Sequence, residues 1–114
     1  MMRRGDIVLA KLDPAMGSEQ GKTRPCLVVQ NDISNEFGPT TIIVPFTSTI
    51  TDKNYPTAVI VEREESGLNE KSTILCNQIR TISAEHRILK KIGSLDQLAM
   101  LKVDDALKTS LALE

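Results

Sequence analysis

The chain places short runs of β-branched and aliphatic residues first and one long amphipathic stretch last, with loops of glycine, proline and polar residues between the runs. Such runs, bounded by turn residues, are typical of strands, and several of them followed by a terminal helix fit a small, strongly bent antiparallel barrel. We therefore predict a mainly β, SH3-like barrel of about five to seven antiparallel strands with a C-terminal α-helix. The predicted strands are residues 6–12, 24–30, 40–47, 57–62 and 72–82.

Helix signals come late in the sequence. Ser83 is placed to cap a short helix over 84–90 that ends before Gly93, and Ser94 with Gln97 resembles a capping box opening a helix over 95–113. Projection at ~100° per residue gives this second helix one apolar face. Leu98 and Leu101 lie outside that face, which predicts burial against a second copy of the chain. The apolar face comprises Leu95, Ala99, Met100, Val103, Ala106, Leu107 and Leu111.

Size and composition restrict the class of protein. With 114 residues, of which 40% are hydrophobic, we expect one domain over 1–114 with a single modest core. The net charge of −1 means that a nucleic-acid site must be a local patch. Aromatic residues make up only 3%, which argues against the aromatic grooves of peptide-binding modules and the stacking platforms of many RNA-binding domains.

The remaining composition gives no sign of a cofactor, a metal or a membrane segment. Cys26 and Cys76 each lie in an apolar run, which indicates buried reduced thiols rather than a disulfide or a metal pair. His86 is the only histidine and lies in the short predicted helix, where a surface or capping role is expected. No apolar stretch has the length of a signal sequence or a membrane span. We therefore expect a cytoplasmic protein without a metal or cofactor.

One segment imitates a phosphate-binding loop. Residues 17–23 read Gly-Ser-Glu-Gln-Gly-Lys-Thr, one residue short of the P-loop spacing, and a β-type run follows where a P-loop needs a helix. Nucleotide binding is therefore rejected. The segment is interpreted as a glycine-hinged loop that overhangs a ligand groove.

Polar side chains gather at the ends of the predicted strands. Arg24 stands between this loop and an apolar strand, and Pro25 restricts it to extended conformations. Thr47 ends the third strand, and Gln78 and Arg80 interrupt the apolar fifth run. Each of these residues, taken alone, is more simply explained as a surface charge or as a residue of high β propensity. The pattern by itself establishes only a small β-rich domain with polar loops.

The ordered set of segments is far more specific, because it resembles the MazF/PemK/Kid family of toxin endoribonucleases nearly end to end. The likeness is strongest to MazF toxins of Gram-positive bacteria, and it includes Lys102-Val103-Asp104 near the C-terminus. The segments that carry it are Arg4-Gly5-Asp6-Ile7-Val8, Gly17-Ser18-Glu19-Gln20-Gly21, residues 23–32 beginning Thr23-Arg24-Pro25, Pro39-Thr40, Phe46-Thr47-Ser48 and Gln78-Ile79-Arg80-Thr81-Ile82.

The resemblance implies a homodimeric toxin of a type II toxin–antitoxin system. Its implied activity is sequence-selective, metal-independent cleavage of single-stranded RNA, mainly mRNA, to 2′,3′-cyclic phosphate and 5′-hydroxyl ends. The family's catalytic arginine and threonine fall on Arg24 and Thr47. A MazE-like antitoxin would occupy the same groove through an extended acidic segment. The RNA-binding residues implied are Ser18, Glu19, Gln20, Asn77, Gln78 and Arg80.

Chemistry supports the two catalytic assignments unequally. Attack by the 2′-hydroxyl needs a base, stabilisation of the charged phosphorane and an acid for the leaving oxygen. Arg24 offers a rigid fork of donors for the phosphorane and Thr47 offers one more, but neither is an obvious base. Glu19 is a candidate base. Some family members carry an acid two positions after the fifth-strand arginine, where this chain has Ile82, so their mechanism does not transfer.

Two other functions compete with RNA cleavage as interpretations of the sequence. A gyrase poison built on the same barrel would bind a protein and cut nothing, and the Arg24-Pro25 and Thr47 set favours the nuclease over it. A non-catalytic nucleic-acid or peptide module is disfavoured by the scarcity of aromatic residues. The RNA sequence preferred and the cognate antitoxin do not follow from the sequence.

Overall fold

The computed structural model describes residues 2–50 and 55–114, and within them the chain forms seven β-strands and four helices. The strands are β1 (Asp6–Lys11), β2 (Thr23–Val28), β3 (Thr40–Thr47), β4 (Ala58–Val61), β5 (Ser72–Leu75), β6 (Arg80–Ser83) and β7 (Ile88–Ser94). The helices are α1 (Asp32–Phe37), α2 (Arg63–Ser66), α3 (Ala84–Arg87) and α4 (Gln97–Ser110). The predicted mainly β fold with a C-terminal helix is confirmed.

All strand pairs are antiparallel, in the order β4-β5-β3-β2-β1-β7, with β6 also paired to β3. β3 is the strand that both parts of the sheet share. Its first half pairs with β6, from Thr40 opposite Ser83, while its last residues pair with β5, where Thr47 lies opposite Thr73. The end of β3 therefore lies where the two parts of the sheet meet.

The sheet is apolar on both faces, because successive residues of a strand point in opposite directions. In β1, Ile7 enters a core cluster beneath α4, and its neighbour Val8 enters a second cluster on the other side. The first cluster includes Phe46 and, from the helix, Val103. Fully burying an aliphatic side chain of this size contributes about 1.5–3 kcal/mol, so these two layers hold the strands in register.

The predicted fifth strand over 72–82 is wrong as one element. It is two strands, β5 and β6, separated by a turn in which the N–H of Gln78 donates to the carbonyl of Leu75 at 3.1 Å. Cys76 N–H donates instead to Thr57 at 2.9 Å. β5 thus pairs with the last residues of β3, and β6 pairs with the first half of β3. The polar residues 77 and 78 form the corner between β5 and β6.

The predicted helix over 84–90 is also wrong beyond its first turn. Ser83 does cap it, since its hydroxyl accepts the N–H of His86 at 3.2 Å, but α3 ends at Arg87. The residues that follow form β7, which pairs with β1 from Ile88 opposite Ala10 to Ser94 opposite Asp6. Pairing with a buried strand thus prevails over the weak local preference for helix.

Two short helices lie in segments predicted as loop or turn. α1 occupies the predicted loop 31–39, where the side chain of Asn31 accepts the N–H of Ser34 at 2.8 Å. α2 lies in the charged segment 63–71 and ends at Gly67, whose φ of 73° is the left-handed conformation that glycine adopts readily. Each spans only about one or two turns, too short to produce a helical periodicity. Part of the predicted loop 48–56 lies outside the described residues.

The terminal helix is confirmed with shifted ends. Its N-cap is Asp96, whose carboxylate accepts the N–H groups of Leu98 and Ala99, whereas Ser94 ends β7. The middle of the predicted apolar face is buried, but Leu111 is 55% exposed. Leu98 and Leu101 are 71% and 60% exposed in the single chain, and their burial against a second copy stays a prediction. In the part of the chain that the structure describes, no helix combines the length and apolarity that crossing a membrane requires.

Candidate active site

Two adjoining grooves contain the residues singled out from the sequence. The first, here the loop groove, has a volume of about 570 Å³ and is walled on one side by the β1–β2 loop, residues 12–22. All six residues proposed to bind RNA line it: Ser18, Glu19, Gln20, Asn77, Gln78 and Arg80. The loop thus overhangs a groove, as the sequence predicted.

The proposed catalytic pair lies in the second groove, here the Arg24 groove, of about 400 Å³. Arg24 and Thr47 both line it, so the structure brings the pair together but separates it from the loop groove residues. The other lining residues are Pro25, Phe46, Ser48, Leu68, Asn69, Glu70, Ser72 and Ile92.

The β1–β2 loop is anchored at its base by two arginines. Arg80 donates from Nη1 to the carbonyl of Leu12 at 2.6 Å, and Arg87 donates from Nη1 to Lys11 and Asp13, both at 2.9 Å. The carboxylate of Asp13 in turn accepts the N–H of Lys22 at 2.9 Å and joins the two ends of the loop. The proposed RNA-binding side chain of Arg80 therefore also supports the loop.

Gln78 ties the middle of the same loop to the β5–β6 corner. Its Oε1 accepts the N–H of Gln20 at 2.8 Å, and its Nε2 donates to the carbonyl of Ser18 at 3.2 Å. Glu19 is partly engaged as well, because its Oε1 accepts the N–H of Met16 at 2.9 Å. Both ends of the Gln78 amide therefore have partners within the protein.

Arg24 has an extended backbone, and two hydrogen bonds fix its side chain. Its Nε donates to the carbonyl of Gly21 at 2.9 Å, and its Nη1 donates to the carbonyl of Phe46 at 3.1 Å. Within residues 2–50 and 55–114 the remaining guanidinium donors have no protein partner and can bind a ligand in the groove. Pro25 is tolerated because β2 pairs with β3 only from Cys26 onward, so the proline lies beyond that ladder.

Thr47 is the last residue of β3 and is half-buried. Its Oγ1 accepts the N–H of Thr49 at 3.3 Å, a bond that leaves the hydroxyl proton free to be donated. The strand end therefore presents a hydroxyl in the groove that contains a fixed guanidinium. Together they can donate hydrogen bonds to an anion, but neither readily accepts a proton.

The two cysteines are buried and free, as predicted. Burial raises the pKa of Cys26 to about 12, although the charges of Arg24 and Arg80 oppose this rise. Burial raises the pKa of Cys76 to about 12 as well. Cys26 lies behind the site, where its Sγ donates to the carbonyl of Arg24 at 3.6 Å. Both thiols remain protonated at neutral pH and are unsuited to act as nucleophiles.

The expected surface or capping position of His86 is confirmed. Its side chain is 79% exposed, with Nε2 3.8 Å from the carboxylate of Glu85, and it lines neither groove. Among the residues that the structure describes, no three histidine, cysteine or carboxylate side chains cluster in a way that could hold a metal ion.

The sequence did not indicate the far wall of the Arg24 groove. Leu68, Asn69 and Glu70 follow α2, and Ile92 belongs to the missed strand β7. Recognising β7 from its two isoleucines, Ile88 and Ile92, would have pointed to part of this wall. Glu70 is the carboxylate among the described residues of that groove, whereas Glu19 lines the loop groove.

Comparison with known proteins agrees with this fold. Residues 3–111 match the family described as the PemK-like, MazF-like toxin of type II toxin–antitoxin systems. The endoribonuclease EndoA of Bacillus subtilis is 47% identical over 113 residues, covering 99% of this chain and 97% of its own. The endoribonuclease MazF of Staphylococcus epidermidis is 42% identical over 113 residues, covering 99% and 93%.

Solved structures share the fold at lower identity. An endoribonuclease in complex with its cognate antitoxin, from a mycobacterial species, is 22% identical with a TM-score of 0.84, covering 100% of this chain and 98% of that one. MazF from Deinococcus radiodurans is 22% identical with a TM-score of 0.80, covering 98% and 97%. The fold and the family match thus define a small toxin of the type II toxin–antitoxin class. The chain belongs to the PemK-like, MazF-like toxin family.

Proposed function

We propose that this toxin is an endoribonuclease that cleaves single-stranded RNA, mainly mRNA, at a short preferred sequence and without a metal ion. The observation that carries the proposal is the placement of Arg24. Its guanidinium bridges the β1–β2 loop, at Gly21, and the end of β3, at Phe46, one residue before Thr47. A strand lying along the loop groove would thereby present a phosphate to a fixed cation.

The reaction we propose is attack on phosphorus by the neighbouring 2′-hydroxyl. The bond from O2′ to phosphorus forms while the bond from phosphorus to O5′ breaks, which leaves a 2′,3′-cyclic phosphate and a 5′-hydroxyl. Arg24 and Thr47 donate hydrogen bonds to the phosphorane oxygens, where negative charge develops. The 2′-hydroxyl proton passes to a base, and O5′ takes a proton as it leaves.

A carboxylate is the fitting base, because guanidinium stays protonated and both thiols titrate far above neutral pH. Glu19 and Glu70 are the two carboxylates that line the grooves among the described residues. Glu19 accepts a hydrogen bond within its own loop, whereas Glu70 shares a groove with Arg24 and Thr47. This favours Glu70 in the role first considered for Glu19.

The loop groove supplies the proposed recognition surface. Its polar rim comes from Ser18, Glu19, Gln20, Asn77 and Gln78, and its floor includes the apolar Ile43 and Pro45. Amide and hydroxyl groups can read the edges of unpaired bases by hydrogen bonding, which suits a chain with few aromatic residues. Arg80 adds positive charge to the same groove.

The proposed partners are a second copy of the chain and an antitoxin. Exposed Leu98 and Leu101 on α4 favour a homodimer, since apolar side chains of this size gain stability when covered. Solved relatives of the same fold include an endoribonuclease with its cognate antitoxin and MazE–MazF from Deinococcus radiodurans. By analogy, an extended acidic antitoxin segment would lie in the loop groove. A cytoplasmic location follows from an mRNA substrate.

The alternative function for this chain is that of a gyrase poison. Two curated relatives above 40% identity are named endoribonucleases, and the Arg24 groove offers a phosphate site that a pure protein binder does not need. The test is to incubate the purified protein with a long single-stranded RNA in EDTA and to map the new 5′ ends. We expect cuts at one short sequence with 5′-hydroxyl ends, and intact RNA alongside inhibited gyrase would refute the proposal.

A further inference from the structure

Gln78 contacts the β1–β2 loop through both ends of its side-chain amide. The N–H of Gln20 donates to Oε1 at 2.8 Å, and Nε2 donates to the carbonyl of Ser18 at 3.2 Å. These residues are separated from Gln78 by 58 and 60 positions in the sequence, so the bonds connect the loop to the β5–β6 corner. An amide is suited to this role, because it offers an acceptor and a donor side by side.

A peptide group two positions further along the loop contacts Arg24. The carbonyl of Gly21 accepts the Arg24 Nε–H at 2.9 Å, and the N–H of the same peptide group, on Lys22, donates to Asp13 at 2.9 Å. The Gly21–Lys22 peptide is thus bonded at both ends. It lies one residue beyond Gln20, so a shift of the segment held by Gln78 displaces the acceptor that orients Arg24.

The loop has little room to take another path here. A Cβ added at Gly21 would lie 2.5 Å from Oδ1 of Asp13 and 3.0 Å from the Cβ of Ala15. The segment therefore packs closely on the start of its own loop. Together with the bonds of Gln78, this contact restricts where the Gly21 carbonyl can be.

We propose that Gln78 is a positioning residue that orients Arg24 through the β1–β2 loop. Its amide clamps the loop between Ser18 and Gln20, and the clamped loop presents the Gly21 carbonyl to the Arg24 guanidinium. This inference rests on the proposed function, in which Arg24 stabilises the phosphorane. It also adds to the RNA contact that the family resemblance implies for Gln78, since an amide can form a second hydrogen bond at each end.

Three substitutions separate this role from a general loss of stability. Gln78→Met keeps the length of the side chain and removes both bonds. Gln78→Glu keeps the acceptor for the Gln20 N–H and removes the donor to Ser18. Gln97→Ala is the control for substituting a glutamine, because Gln97 is exposed on α4 and lines neither groove. Melting temperatures close to that of the wild type show that the variants fold.

The first measurement uses the whole protein without RNA. Hydrogen exchange of the Gln20 amide and of the Arg24 Nε–H is followed by NMR. We expect Gln78→Met to accelerate both on the order of tenfold, as the loss of one or two hydrogen bonds predicts, and Gln78→Glu to give a smaller change. Unchanged exchange of the Arg24 Nε–H in Gln78→Met would overturn the proposal.

The second measurement is cleavage of a saturating RNA in a single turnover. We expect Gln78→Met to lower the rate about tenfold, with the rate of Gln78→Glu between it and that of the wild type, and Gln97→Ala to be unchanged. A rise in the RNA dissociation constant without a fall in the saturated rate would make Gln78 an RNA contact only and refute positioning. If the wild type cuts no RNA, the proposed function fails, while the exchange result still decides whether Gln78 orients Arg24.

Discussion

The Arg24 guanidinium donates from Nη1 to the backbone carbonyl of Phe46 at 3.1 Å, and Phe46 immediately precedes Thr47. The bond joins the start of β2 to the end of β3 at a point beyond the β2–β3 ladder, which runs only from Cys26 to Val28. It therefore replaces strand pairing where the strands diverge. The same bond fixes the guanidinium next to the threonine with which it would act.

The first prediction concerns Arg24 itself. Arg24→Ala should lower RNA cleavage by about 10²–10³-fold or more, because it removes donors aimed at the developing phosphorane charge. Arg24→Lys should recover only part of the rate, since a single ammonium lacks the planar fork. Cleavage of a labelled RNA, measured with size-exclusion chromatography of each variant, checks both statements.

The matched control is Arg63→Ala, because Arg63 is exposed on α2 and lines neither groove. It should leave cleavage unchanged. Arg24→Ala should still elute as the wild type does, with a loss of about 1 kcal/mol in the free energy of unfolding for each of its two hydrogen bonds. Full activity in folded Arg24→Ala would contradict the site assignment.

The second prediction compares the two candidate bases. Glu70→Gln should lower the saturated cleavage rate about 10²-fold or more, because general-base catalysis contributes this much and Glu70 lies in the Arg24 groove. Glu19→Gln should mainly weaken RNA binding, since Glu19 lines the loop groove. Rates at saturating RNA and dissociation constants distinguish the two effects. A catalytic loss confined to Glu19→Gln would reverse the assignment.

Much of the fold was predictable from local pattern. The first four predicted strands overlap β1 to β4, because their apolar residues are bounded by glycine, proline and polar loops. β7 was missed because its pairing with β1 is a long-range contact that leaves Leu89, Lys90 and Lys91 exposed. Its sequence, Ile-Leu-Lys-Lys-Ile-Gly-Ser, therefore lacks the alternation of a half-buried strand.

The residues of the candidate site could be predicted from the sequence, but the hydrogen bonds between them could not. Arg24 and Thr47 stand at strand ends, and their place in a shared groove follows from the β2–β3 pairing. The bonds from Gln78 to Ser18 and Gln20 depend on the corner between β5 and β6, which the single predicted strand over 72–82 concealed. The wall containing Glu70 depends on where α2 places the chain. No local sequence pattern indicates that placement.

The third prediction is that cleavage survives chelation. The described residues offer no cluster of metal ligands, and the proposed chemistry places the phosphorane charge on Arg24 and Thr47. We therefore expect equal cleavage rates in excess EDTA and in Mg²⁺, measured after the protein has been dialysed against chelator. Loss of activity in EDTA that an added divalent cation restores would show that a metal takes part.

The fourth prediction concerns salt. The chain has a net charge of −1, and the basic side chains that line the two grooves are Arg24 and Arg80 among the described residues. These two arginines can neutralise about two phosphates, so a plot of log affinity against log salt should have a slope no steeper than about −1.4, at ~0.7 per phosphate. Fluorescence anisotropy of the wild-type protein with an RNA made uncleavable by 2′-O-methyl groups measures this slope while Arg24 still contributes. A much steeper slope would reveal a basic surface outside the grooves.

The fifth prediction follows from the two buried thiols. Burial raises the pKa of Cys26 and of Cys76 to about 12 in the folded chain, against an ordinary value of 9.0. The unfolded chain thus releases these protons at lower pH than the folded chain. Their contribution to stability is complete below pH 9 and is lost as the pH rises toward 12.

Urea denaturation between pH 8 and pH 11 measures this effect. For each thiol we expect a loss of about 1.4 kcal/mol in the free energy of unfolding per pH unit above 9, on top of what other groups contribute. Cys76→Ala is the comparison, because it removes one thiol and keeps the other groups that titrate in this range. Its absolute stability will be lower, since Cys76 is fully buried, but its decline with pH should be shallower. Equal slopes for the wild type and the variant would mean that Cys76 ionises as readily in the folded chain as in the unfolded one.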